Sequence, residues 1–561
     1  MENKPISRTL RFLSQLMELH NINQFKTRSV ANAAFKADKL PFALAGKSVE
    51  ELERIDGFGK SIATKVAELL ATGTIAELEE LLAQTPEGVV EMMKIKGIGP
   101  KKVAIIWKEL GIENTGELLY ACNENRLVEA KGFGLKTQEE IRKAIEFRMA
   151  SNGKFLYAQV EEEANELLKS IKAIFPEALK NFAGEFRRGS EIITELVIIV
   201  GSTDQQMALN TIAQSELLKN PVVIDNHVNG ELENGLLVDI ICVDKGDYYE
   251  QLFLNTGNDD HVQAVINRLP EGLEEPSSEE MVYKKAGLCW IPPELREGDA
   301  YIEKAINDKL PTLITFIDLK GTLHNHSTWS DGVHTIEQMA AYCQNELNLQ
   351  YLGICDHSKT AVYAKGLSIE RILQQHEEID HLNKKLIGFQ VLKGVESDIL
   401  NDGSLDYPEE ILQRFDLVVA SIHSNMKMDE NKATARLIKA IENPYTTILG
   451  HPTGRLLLSR KGYSFDYKKV IDACAANGVV IEVNSNPLRL DLDWRWHQYA
   501  LDKGVWLSIN PDAHRNEGFL DMQFGVNAAR KGGLYKERCL NALSLQEIKH
   551  FLAHRKAGKL I

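Results

Sequence analysis

Residues 323–332 read Leu323-His-Asn-His-Ser-Thr-Trp-Ser-Asp-Gly332, and the interpretation of the whole chain starts from this stretch. Its two histidines, His324 and His326, are separated by a single residue, and Asp331 follows in what reads as a loop. Side chains at positions i and i+2 of a strand point to the same side, so the two imidazoles can share one metal ion. The stretch therefore predicts a short strand that ends in a metal site.

Five segments further along the chain repeat this arrangement, with a histidine or an acid directly after a short apolar run. They are Cys355-Asp-His357, Gly394-Val-Glu396, Ser421-Ile-His423, Gly450-His-Pro-Thr-Gly-Arg455 and Asn510-Pro-Asp-Ala-His514. Between residues 320 and 561 such runs alternate with helical stretches, which is typical of βα units around a parallel sheet or barrel. Barrel enzymes gather their catalytic residues at the carboxyl ends of the strands. We therefore expect these side chains to converge.

The candidate metal ligands are nitrogen and oxygen donors without any cysteine: His324, His326, Asp331, His357, Glu396, His423, His451, Asp512 and His514. This set is too large for one ion and predicts two or three divalent cations, with Mn, Zn and Fe all compatible. Clustered cations suit phosphoester hydrolysis, because one polarises the phosphoryl oxygen while another activates water. Glu396 is the candidate bridging carboxylate, and Arg455 is a candidate for binding a non-bridging phosphate oxygen. Four other histidines are expected to be ordinary surface residues: His334, His376, His381 and His497.

Three similar segments punctuate the short amphipathic helices of residues 1–150. They read Ile55-Asp-Gly-Phe-Gly-Lys60, Ile95-Lys-Gly-Ile-Gly-Pro100 and Ala130-Lys-Gly-Phe-Gly-Leu135. Gly-x-Gly before a helix can present backbone N–H groups to a phosphate, a contact that ignores base sequence. The alternative is three ordinary turns between helices. The candidate phosphate-binding residues are Gly57, Gly59, Lys60, Gly97, Gly99, Lys101, Gly132 and Gly134.

Taken together, these segments resemble a bacterial family X DNA polymerase with a PHP (polymerase and histidinol phosphatase) domain at its C-terminus. The resemblance implies an all-α helix-hairpin-helix region, an α+β nucleotidyltransferase palm and thumb, and a distorted (βα)7 barrel. In that family the PHP domain is a metal-dependent 3′-5′ exonuclease, typically stimulated by manganese. The implied domains are 1–80 (lyase-like), 81–150 (fingers), 151–245 (palm), 246–319 (thumb and linker) and 320–561 (PHP).

The resemblance also assigns a role to one lysine of the first domain. Residues 57–73 are similar to the lyase domain of the family, which places Lys65 where the Schiff-base lysine lies. Such an amine attacks the aldehyde of a 5′-deoxyribose phosphate when its surroundings depress its pKa. The alternative is a solvated helix lysine that binds phosphate.

The nucleotidyltransferase pattern of the family is altered in this chain. The family carries Gly-Ser-x-Arg-Arg, then Asp-x-Asp, and a third Asp on a neighbouring strand. Here the stretch reads Gly184-Glu-Phe-Arg-Arg-Gly-Ser-Glu-Ile-Ile-Thr-Glu-Leu-Val197. Gly184, Arg187 and Arg188 remain as expected nucleotide contacts.

The acids of the palm are only partly retained. Glu195 and Val197 stand in place of the first and second Asp, and the third acid is Asp239. Three carboxylates would hold two Mg²⁺ ions, and Mg²⁺ tolerates poor geometry badly. Glu185 replaces the phosphate-binding Ser and would repel a triphosphate by about 4 kcal/mol at 4 Å. We expect Glu195 and Asp239 to be vestigial and the palm to polymerise poorly or not at all.

Composition limits the possible functions further. The 561 residues are 44% apolar and 26% charged, typical of a globular protein, and the length predicts three to five domains at roughly 100–200 residues each. The net charge is −15, yet residues 1–150 carry +1, so the acidic excess lies in residues 151–561, where carboxylates could be metal ligands. The seven cysteines form no CxxC pair, which fits a reducing cytosol, and no apolar run predicts a membrane span.

The expected protein is thus a cytoplasmic monomer that binds gapped, nicked or recessed DNA 3′ ends and removes nucleotides or blocking groups from them. One alternative is an active gap-filling polymerase that proofreads, uses dNTPs and binds Mg²⁺ at the palm. Another is a small-molecule phosphatase of the histidinol phosphatase type, and the last is a non-catalytic DNA-binding scaffold.

Overall fold

The computed structural model describes residues 2–95, 97–128, 130–150, 153–270 and 276–557. The chain divides into two compact units, Met1–Glu146 and Phe147–Ile561. Among the described residues, no helix is both long enough and apolar enough to cross a bilayer. The seven cysteines are all free.

The regular elements of the amino-terminal unit are helices, joined by turns and loops, over its described residues. The predicted helices over 61–70 and 101–107 are confirmed as α4 and α7, and apolar spacing explains α4, because Ile62, Val66 and Leu69 share its buried face. The helices are α1 (Asn3–Leu19), α2 (Gln24–Lys39), α3 (Val49–Glu53), α4 (Lys60–Thr72), α5 (Ala76–Ala83), α6 (Glu87–Met92), α7 (Pro100–Lys108), α8 (Thr115–Asn123) and α9 (Leu135–Ala150).

The second unit begins with an α+β region built on a five-stranded sheet of order β2-β4-β7-β6-β5. β4 and β7 pair in parallel and the other pairs are antiparallel, while β1 and β3 form a separate ribbon. The strands are β1 (Phe155–Leu156), β2 (Leu179–Phe182), β3 (Ile192–Ile193), β4 (Glu195–Ser202), β5 (Lys219–Ile224), β6 (His227–Glu231) and β7 (Leu237–Asp244).

Helices surround this sheet and continue into the linker. They are α10 (Tyr157–Ile174), α11 (Gly184–Arg187), α12 (Gln205–Gln214), α13 (Tyr248–Thr256), α14 (Asp259–Ile266), α15 (Glu279–Lys285) and α16 (Ile302–Ile306). The helix predicted near 157–175 and the strands predicted over 195–200 and 236–243 are confirmed.

The rest of the second unit is a seven-stranded parallel barrel in which each strand pairs with its neighbour in sequence. A parallel bridge between Asn325 and Ala513 joins the first strand to the last. The strands are β8 (Gly321–Thr322), β9 (Tyr351–Ile354), β10 (Gln390–Asp398), β11 (Leu417–Ser421), β12 (Ile448–Leu449), β13 (Val480–Asn484) and β14 (Leu507–Asn510).

Helices alternate with these strands, as the sequence pattern predicts. They are α17 (Ile336–Asn345), α18 (Ile369–Asn383), α19 (Glu409–Leu412), α20 (Glu430–Ile441), α21 (Tyr467–Asn477), α22 (His497–Asp502), α23 (Met522–Lys531) and α24 (Leu545–Lys556). One apolar cluster joins strand residues such as Leu392 and Val419 to Ile548 and Phe551 of α24. This packing leaves the carboxyl ends of the strands for polar side chains.

Candidate metal centre

The candidate ligands come from loops or strand ends at the carboxyl side of the barrel. His324 and His326 follow β8, Asp331 lies in the next loop, His357 follows β9, Glu396 lies near the end of β10, His423 follows β11, His451 follows β12, and Asp512 and His514 follow β14. A parallel barrel brings these strand ends to one rim. The structure therefore brings together side chains that are separated by up to 190 residues in sequence.

Glu396 lies at the centre of the cluster and is 1% exposed. Its Oε1 lies 3.1 Å from Nε2 of His423 and 2.9 Å from Nε2 of His451. Its Oε2 lies 2.9 Å from Nδ1 of His357. One carboxylate thus contacts histidines from three different strand ends, which is the arrangement expected of a bridging ligand.

The two remaining carboxylates contact the other histidines. Oδ1 of Asp512 lies 3.0 Å from Nε2 of His326, and Oδ1 of Asp331 lies 3.4 Å from Nε2 of His514. The ligand atoms form three groups in which all members lie within 4.8 Å of one another: His326, Asp331, His357 and His514; His324, His326 and Asp512; and His357, Glu396 and His423. Three overlapping groups match an expectation of two or three cations.

Unpaired buried atoms show that this pocket fits cations. Within the described residues, Nδ1 of His326 and Oδ2 of Asp331 are buried without a hydrogen bond. A buried polar atom without a partner costs roughly 1–3 kcal/mol. Imidazole nitrogens and carboxylate oxygens are ligands for Zn, Mn and Fe, so bound cations would satisfy these atoms.

The mixture of imidazoles and carboxylates shifts the pKa values strongly. Burial alone would lower the pKa of His324, but the carboxylates of Glu482, Asp512 and Glu396 raise it well above its usual value. Burial, with His514 and His357 nearby, lowers the pKa of His326 to about 3. Metal binding at such a site displaces protons, because the ligands must be deprotonated.

Three buried acids that the sequence analysis did not single out hold the ligands in place. Glu482 of β13 accepts a hydrogen bond from Nδ1 of His324 at 2.8 Å and another from the backbone N–H of His451 at 2.7 Å. Asp398 contacts Nδ1 of His423 at 2.5 Å. Each contact orients an imidazole whose Nε2 lies near the other ligand atoms, as second ligand layers do in metal sites.

The third acid, Asp356, fixes the loop that carries Asp331. Its carboxylate accepts hydrogen bonds from the backbone N–H groups of Ser327 and Ser330 and from Nε2 of Gln375. The sequence signal for such residues is a single acid inside or beside a buried apolar strand, as in Gly478-Val-Val-Ile-Glu-Val.

The amino-terminal hairpins have the backbone geometry that phosphate binding requires. Gly57, Gly97 and Gly132 have φ values of +87°, +91° and +88°, which residues with a side chain rarely adopt. Gly59 and Gly99 cap α4 and α7, and no described atom outside the adjacent residues lies within 4 Å of where a Cβ would stand on Gly59, Gly97, Gly99, Gly132 or Gly134. Phe58 and Ile98 are buried as hairpin anchors, and Lys60 and Lys101 are exposed.

Comparison with known proteins gives the family. A model described as a helix-hairpin-helix domain matches residues 1–75, and one described as a SAM-like helix-hairpin-helix tandem matches residues 89–146. The chain is 34% identical to the DNA polymerase/3′-5′ exonuclease PolX of Bacillus subtilis, over 98% of this chain and 99% of that protein. This chain belongs to the PolX family.

Its C-terminal region has relatives of its own. A probable phosphatase of Thermoanaerobacter sp. is 30% identical over 31% of this chain and 73% of that protein. A probable phosphatase of Caldanaerobacter subterraneus is 37% identical over 18% of this chain and 40% of that protein. The multidomain assignment to family X with a C-terminal PHP barrel is thereby confirmed, while the finer domain boundaries stay predictions.

In this PolX chain the two palm arginines, which were expected to contact a nucleotide, form ion pairs with acids, and their role in nucleotide binding stays a prediction. The guanidinium of Arg187 donates two hydrogen bonds to the Glu279 carboxylate, at 2.8 and 2.9 Å. Nε of Arg188 donates to Glu297 at 3.0 Å. These acids lie about 100 residues away in sequence, so only the fold reveals the pairing. Gly184 keeps a left-handed backbone with φ +58°.

The remaining palm acids lie close enough to interact but lack a carboxylate at position 197. Val197 lies opposite Asp239 in the β4–β7 register, so the position facing Asp239 has no carboxylate. Asp239 instead contacts Nδ1 of His227 at 2.9 Å. The carboxylate of Glu185 accepts hydrogen bonds from the N–H and hydroxyl of Thr194. Burial, followed by the charges of Asp239 and Glu185, raises the pKa of Glu195.

Arg455 makes several contacts within the protein, and its expected role in binding phosphate stays a prediction. Its Nε donates to the carbonyl of Arg489 at 2.9 Å, and its other nitrogens donate to the Asp493 carboxylate and the Leu490 carbonyl. The side chain therefore holds the loop after β13 in place. Lys65 pairs with Glu77 at 2.7 Å, and its lyase role stays a prediction.

Two of the four histidines expected at the surface are buried. His376 is 7% exposed and His497 is not exposed, and burial lowers the pKa of each to about 4. Both are buried residues of helices, His376 in α18 and His497 in α22. Polarity alone did not reveal this, because a neutral imidazole packs well in a core.

Proposed function

We propose that this PolX chain is a metal-dependent 3′-5′ exonuclease or 3′-end-processing phosphoesterase that acts on DNA through its barrel. The observation that carries the proposal is the convergence of nine nitrogen and oxygen ligands on one buried centre, with Glu396 between them. The name of the Bacillus subtilis relative, DNA polymerase/3′-5′ exonuclease PolX, supports this direction.

The residues of the barrel site have two proposed roles, binding metal ions and orienting the ligands. The nine ligand side chains would hold two or three Mn, Zn or Fe ions, with His326 and His357 shared between neighbouring groups. The ions would polarise a phosphoryl oxygen and lower the pKa of water. Glu482 and Asp398 keep the imidazoles of His324 and His423 in the tautomer that leaves Nε2 ready to bind. Replacing either acid would leave all nine ligands present, but the imidazole that the acid orients would be held less firmly.

The palm is proposed to polymerise weakly or not at all. A two-metal site needs acids that bridge both ions, and position 197 opposite Asp239 is a valine. The arginines expected to bind the nucleotide pair with Glu279 and Glu297. These features support a palm that has kept its fold while losing its reaction.

DNA recognition is assigned to the amino-terminal hairpins. Left-handed glycines that open a helix present backbone N–H groups to phosphates, and the two matched helix-hairpin-helix models cover residues 1–75 and 89–146. Such contacts fix the position of a strand without reading its sequence. Contacts of this kind suit gapped, nicked or recessed DNA 3′ ends as substrates. The proposed protein acts in the cytoplasm as a monomer.

The test uses a recessed-end duplex labelled at the 5′ end of the primer, with Mn²⁺, with and without dNTPs. We expect stepwise shortening of the primer and no extension. The His324→Ala/His326→Ala double variant is the control for the barrel site and should leave the primer intact. Persistence of shortening in that variant would overturn the proposal.

The same assay tests the second candidate, a gap-filling polymerase, which the name of the Bacillus subtilis relative favours. Extension that is lost in Asp239→Asn and kept in the histidine double variant would show that Glu195 and Asp239 suffice at the palm. The salt dependence of the reaction distinguishes the proposed nuclease from a small-molecule phosphatase. Cleavage of DNA should weaken steeply as salt rises, whereas hydrolysis of a small phosphate ester should not.

A further inference from the structure

A short loop between β9 and α18 lies against the metal centre. This rim loop, residues 358–367, follows the ligand His357 directly and contains one 3₁₀ turn, Val362–Ala364. The ring of Tyr363 lies with its centroid 6.1 Å from that of His357. The loop therefore brings a large aromatic side chain next to a ligand of the proposed site.

The rim loop is tied down at both of its ends. Ser358 and Leu367 form a parallel bridge, and the hydroxyl of Tyr407 donates to the Leu367 carbonyl. A Cβ on Gly366 would stand 1.9 Å from the Ser358 carbonyl oxygen, so only glycine allows this closure. The loop is held in one shape before any substrate arrives.

Its middle is joined to the acids that support the ligands. The backbone N–H of Thr360 donates to Asp406 at 2.8 Å, and its hydroxyl donates to Asp398 at 2.7 Å. Asp398 is the same acid that contacts Nδ1 of His423. The position of the 3₁₀ turn is thus coupled to the position of the metal ligands.

At the tip of this anchored loop two apolar groups face solvent. Val362 is 80% exposed and Tyr363 is 37% exposed, while His357 beside them is buried. A single exposed apolar residue is ordinary, but here two adjacent ones are held by a rigid loop at the edge of a polar pocket. Such a surface suits a flat apolar group that accompanies a phosphate into the pocket.

We propose that Tyr363, assisted by Val362, binds the nucleobase of the 3′-terminal nucleotide. The inference rests on the proposed function, because it requires DNA whose terminal phosphodiester reaches the metal centre. Every base has a π face, so stacking on an aromatic ring tolerates any base. An enzyme that removes successive nucleotides needs this tolerance, and a rigid ring supplies it without hydrogen bonds to base edges.

The test compares two 3′ ends on the same duplex, one with a natural terminal nucleotide and one with an abasic terminal nucleotide. For the natural end, Tyr363→Ala should lower kcat/KM about 5- to 100-fold, the effect of losing one base–aromatic stack. The wild-type protein should lose a similar factor on the abasic end. On the abasic end, Tyr363→Ala should have about the same kcat/KM as the wild-type protein, because the stack is already lost. Tyr363→Phe keeps the ring and should behave as wild type on both ends.

The controls separate the possible outcomes. Tyr445→Ala removes a tyrosine near the amino end of β12, away from the rim. Its kcat/KM for each of the two ends should match the wild-type value for that end. Equal wild-type rates on natural and abasic ends, or an equal loss on both in Tyr363→Ala, would overturn the inference while leaving the exonuclease intact. A wild-type protein that degrades neither end would overturn the proposed function itself.

Discussion

At the scale of single residues, Glu482 shows how one side chain controls several ligands. It is not exposed, and it accepts hydrogen bonds from the imidazole of His324, the backbone of His451 and the side-chain amide of Asn510. None of these atoms lies near it in sequence. Its negative charge both orients His324 and raises the basicity of that imidazole.

We therefore expect Glu482→Gln to weaken metal binding about 10- to 100-fold, the usual effect of losing such a partner. Glutamine keeps the shape and one acceptor, so the fold should persist. Calorimetric titration of the metal-free protein with Mn²⁺ measures the change in affinity. The surface variant Glu233→Gln, on an exposed loop, should leave the affinity unchanged. An unaltered affinity in Glu482→Gln would contradict the role given to this acid.

His261 shows the effect of burial on one imidazole. It is not exposed, its Nδ1 contacts the Gly298 carbonyl at 3.0 Å, and its Nε2 contacts the Tyr283 hydroxyl at 2.9 Å. The carbonyl can only accept, so Nδ1 carries the proton and Nε2 accepts from the tyrosine. Burial lowers the pKa of His261 to about 4.

Since this folded-state pKa lies below the unfolded value near 6.5, the unfolded chain binds more protons between the two. Stability that is fully present above about pH 6.5 is therefore lost as the pH falls toward 4, by about 1.4 kcal/mol per pH unit. Denaturant unfolding at pH 7.5 and 5.5, at constant Mn²⁺, measures this loss.

The variant His261→Asn keeps a donor for the Gly298 carbonyl and should reduce the pH dependence of unfolding. His381→Asn, which replaces an exposed histidine on α18, is the matched control and should leave it as in wild type. Identical pH dependences for wild type and His261→Asn would count against a neutral buried imidazole.

At the scale of elements, the hairpins of the amino-terminal unit differ from ordinary helix turns in their first glycine. Gly97 has φ +91° and Gly99 has φ −87°, and neither has a described atom outside the adjacent residues within 4 Å of where a Cβ would stand. The two positions therefore separate backbone strain from crowding. A side chain is strained at the first position and acceptable at the second.

We expect Gly97→Ser to destabilise this unit by about 1–2 kcal/mol, the cost of a left-handed backbone for a residue with a Cβ. Gly99→Ser places a good N-cap residue at the start of α7 and should be nearly neutral for stability. Thermal unfolding of both variants tests this pair. Equal destabilisation would contradict the strained backbone at Gly97.

At the scale of the whole second unit, a buried ion cluster joins the palm to the barrel. Arg188 of the palm and Lys531 of α23 both contact the carboxylate of Glu297. Lys531 is only 1% exposed in its side chain. Burial lowers the pKa of this lysine, and Glu297 partly offsets the effect. The turn that carries Arg188, which was expected to contact a nucleotide, is thus part of the contact between palm and barrel.

Glu297→Gln would leave Arg188 and Lys531 without the carboxylate that they share, which costs about 3–5 kcal/mol. For a unit of this size we expect the Tm to fall by several degrees. Scanning calorimetry measures the shift, with the exposed pair of Lys219 and Glu233 as the control, since Glu233→Gln should leave the Tm unchanged. An unchanged Tm in Glu297→Gln would show that the cluster does not stabilise the junction.

Much of this architecture was predictable from periodicity. The alternation of apolar runs and helices between 320 and 561 predicts the parallel barrel, and acids or histidines after those runs predict where the ligands lie. The predicted helices and strands were also right where apolar spacing is regular, as in α4 and β4. Such patterns are local, because a helix or strand must show one apolar face to its core.

What the sequence by itself determined is therefore the order of elements, the family and the identity of the candidate ligands. The tertiary structure alone decided which charges meet: Arg187 with Glu279, Arg188 with Glu297, and His324 with Glu482. It also decided that His376 and His497 are buried and that Arg455 braces a loop. The reason is physical, since a side chain's spacing along the chain fixes its local face, while its partner and its exposure depend on distant segments that only folding brings near.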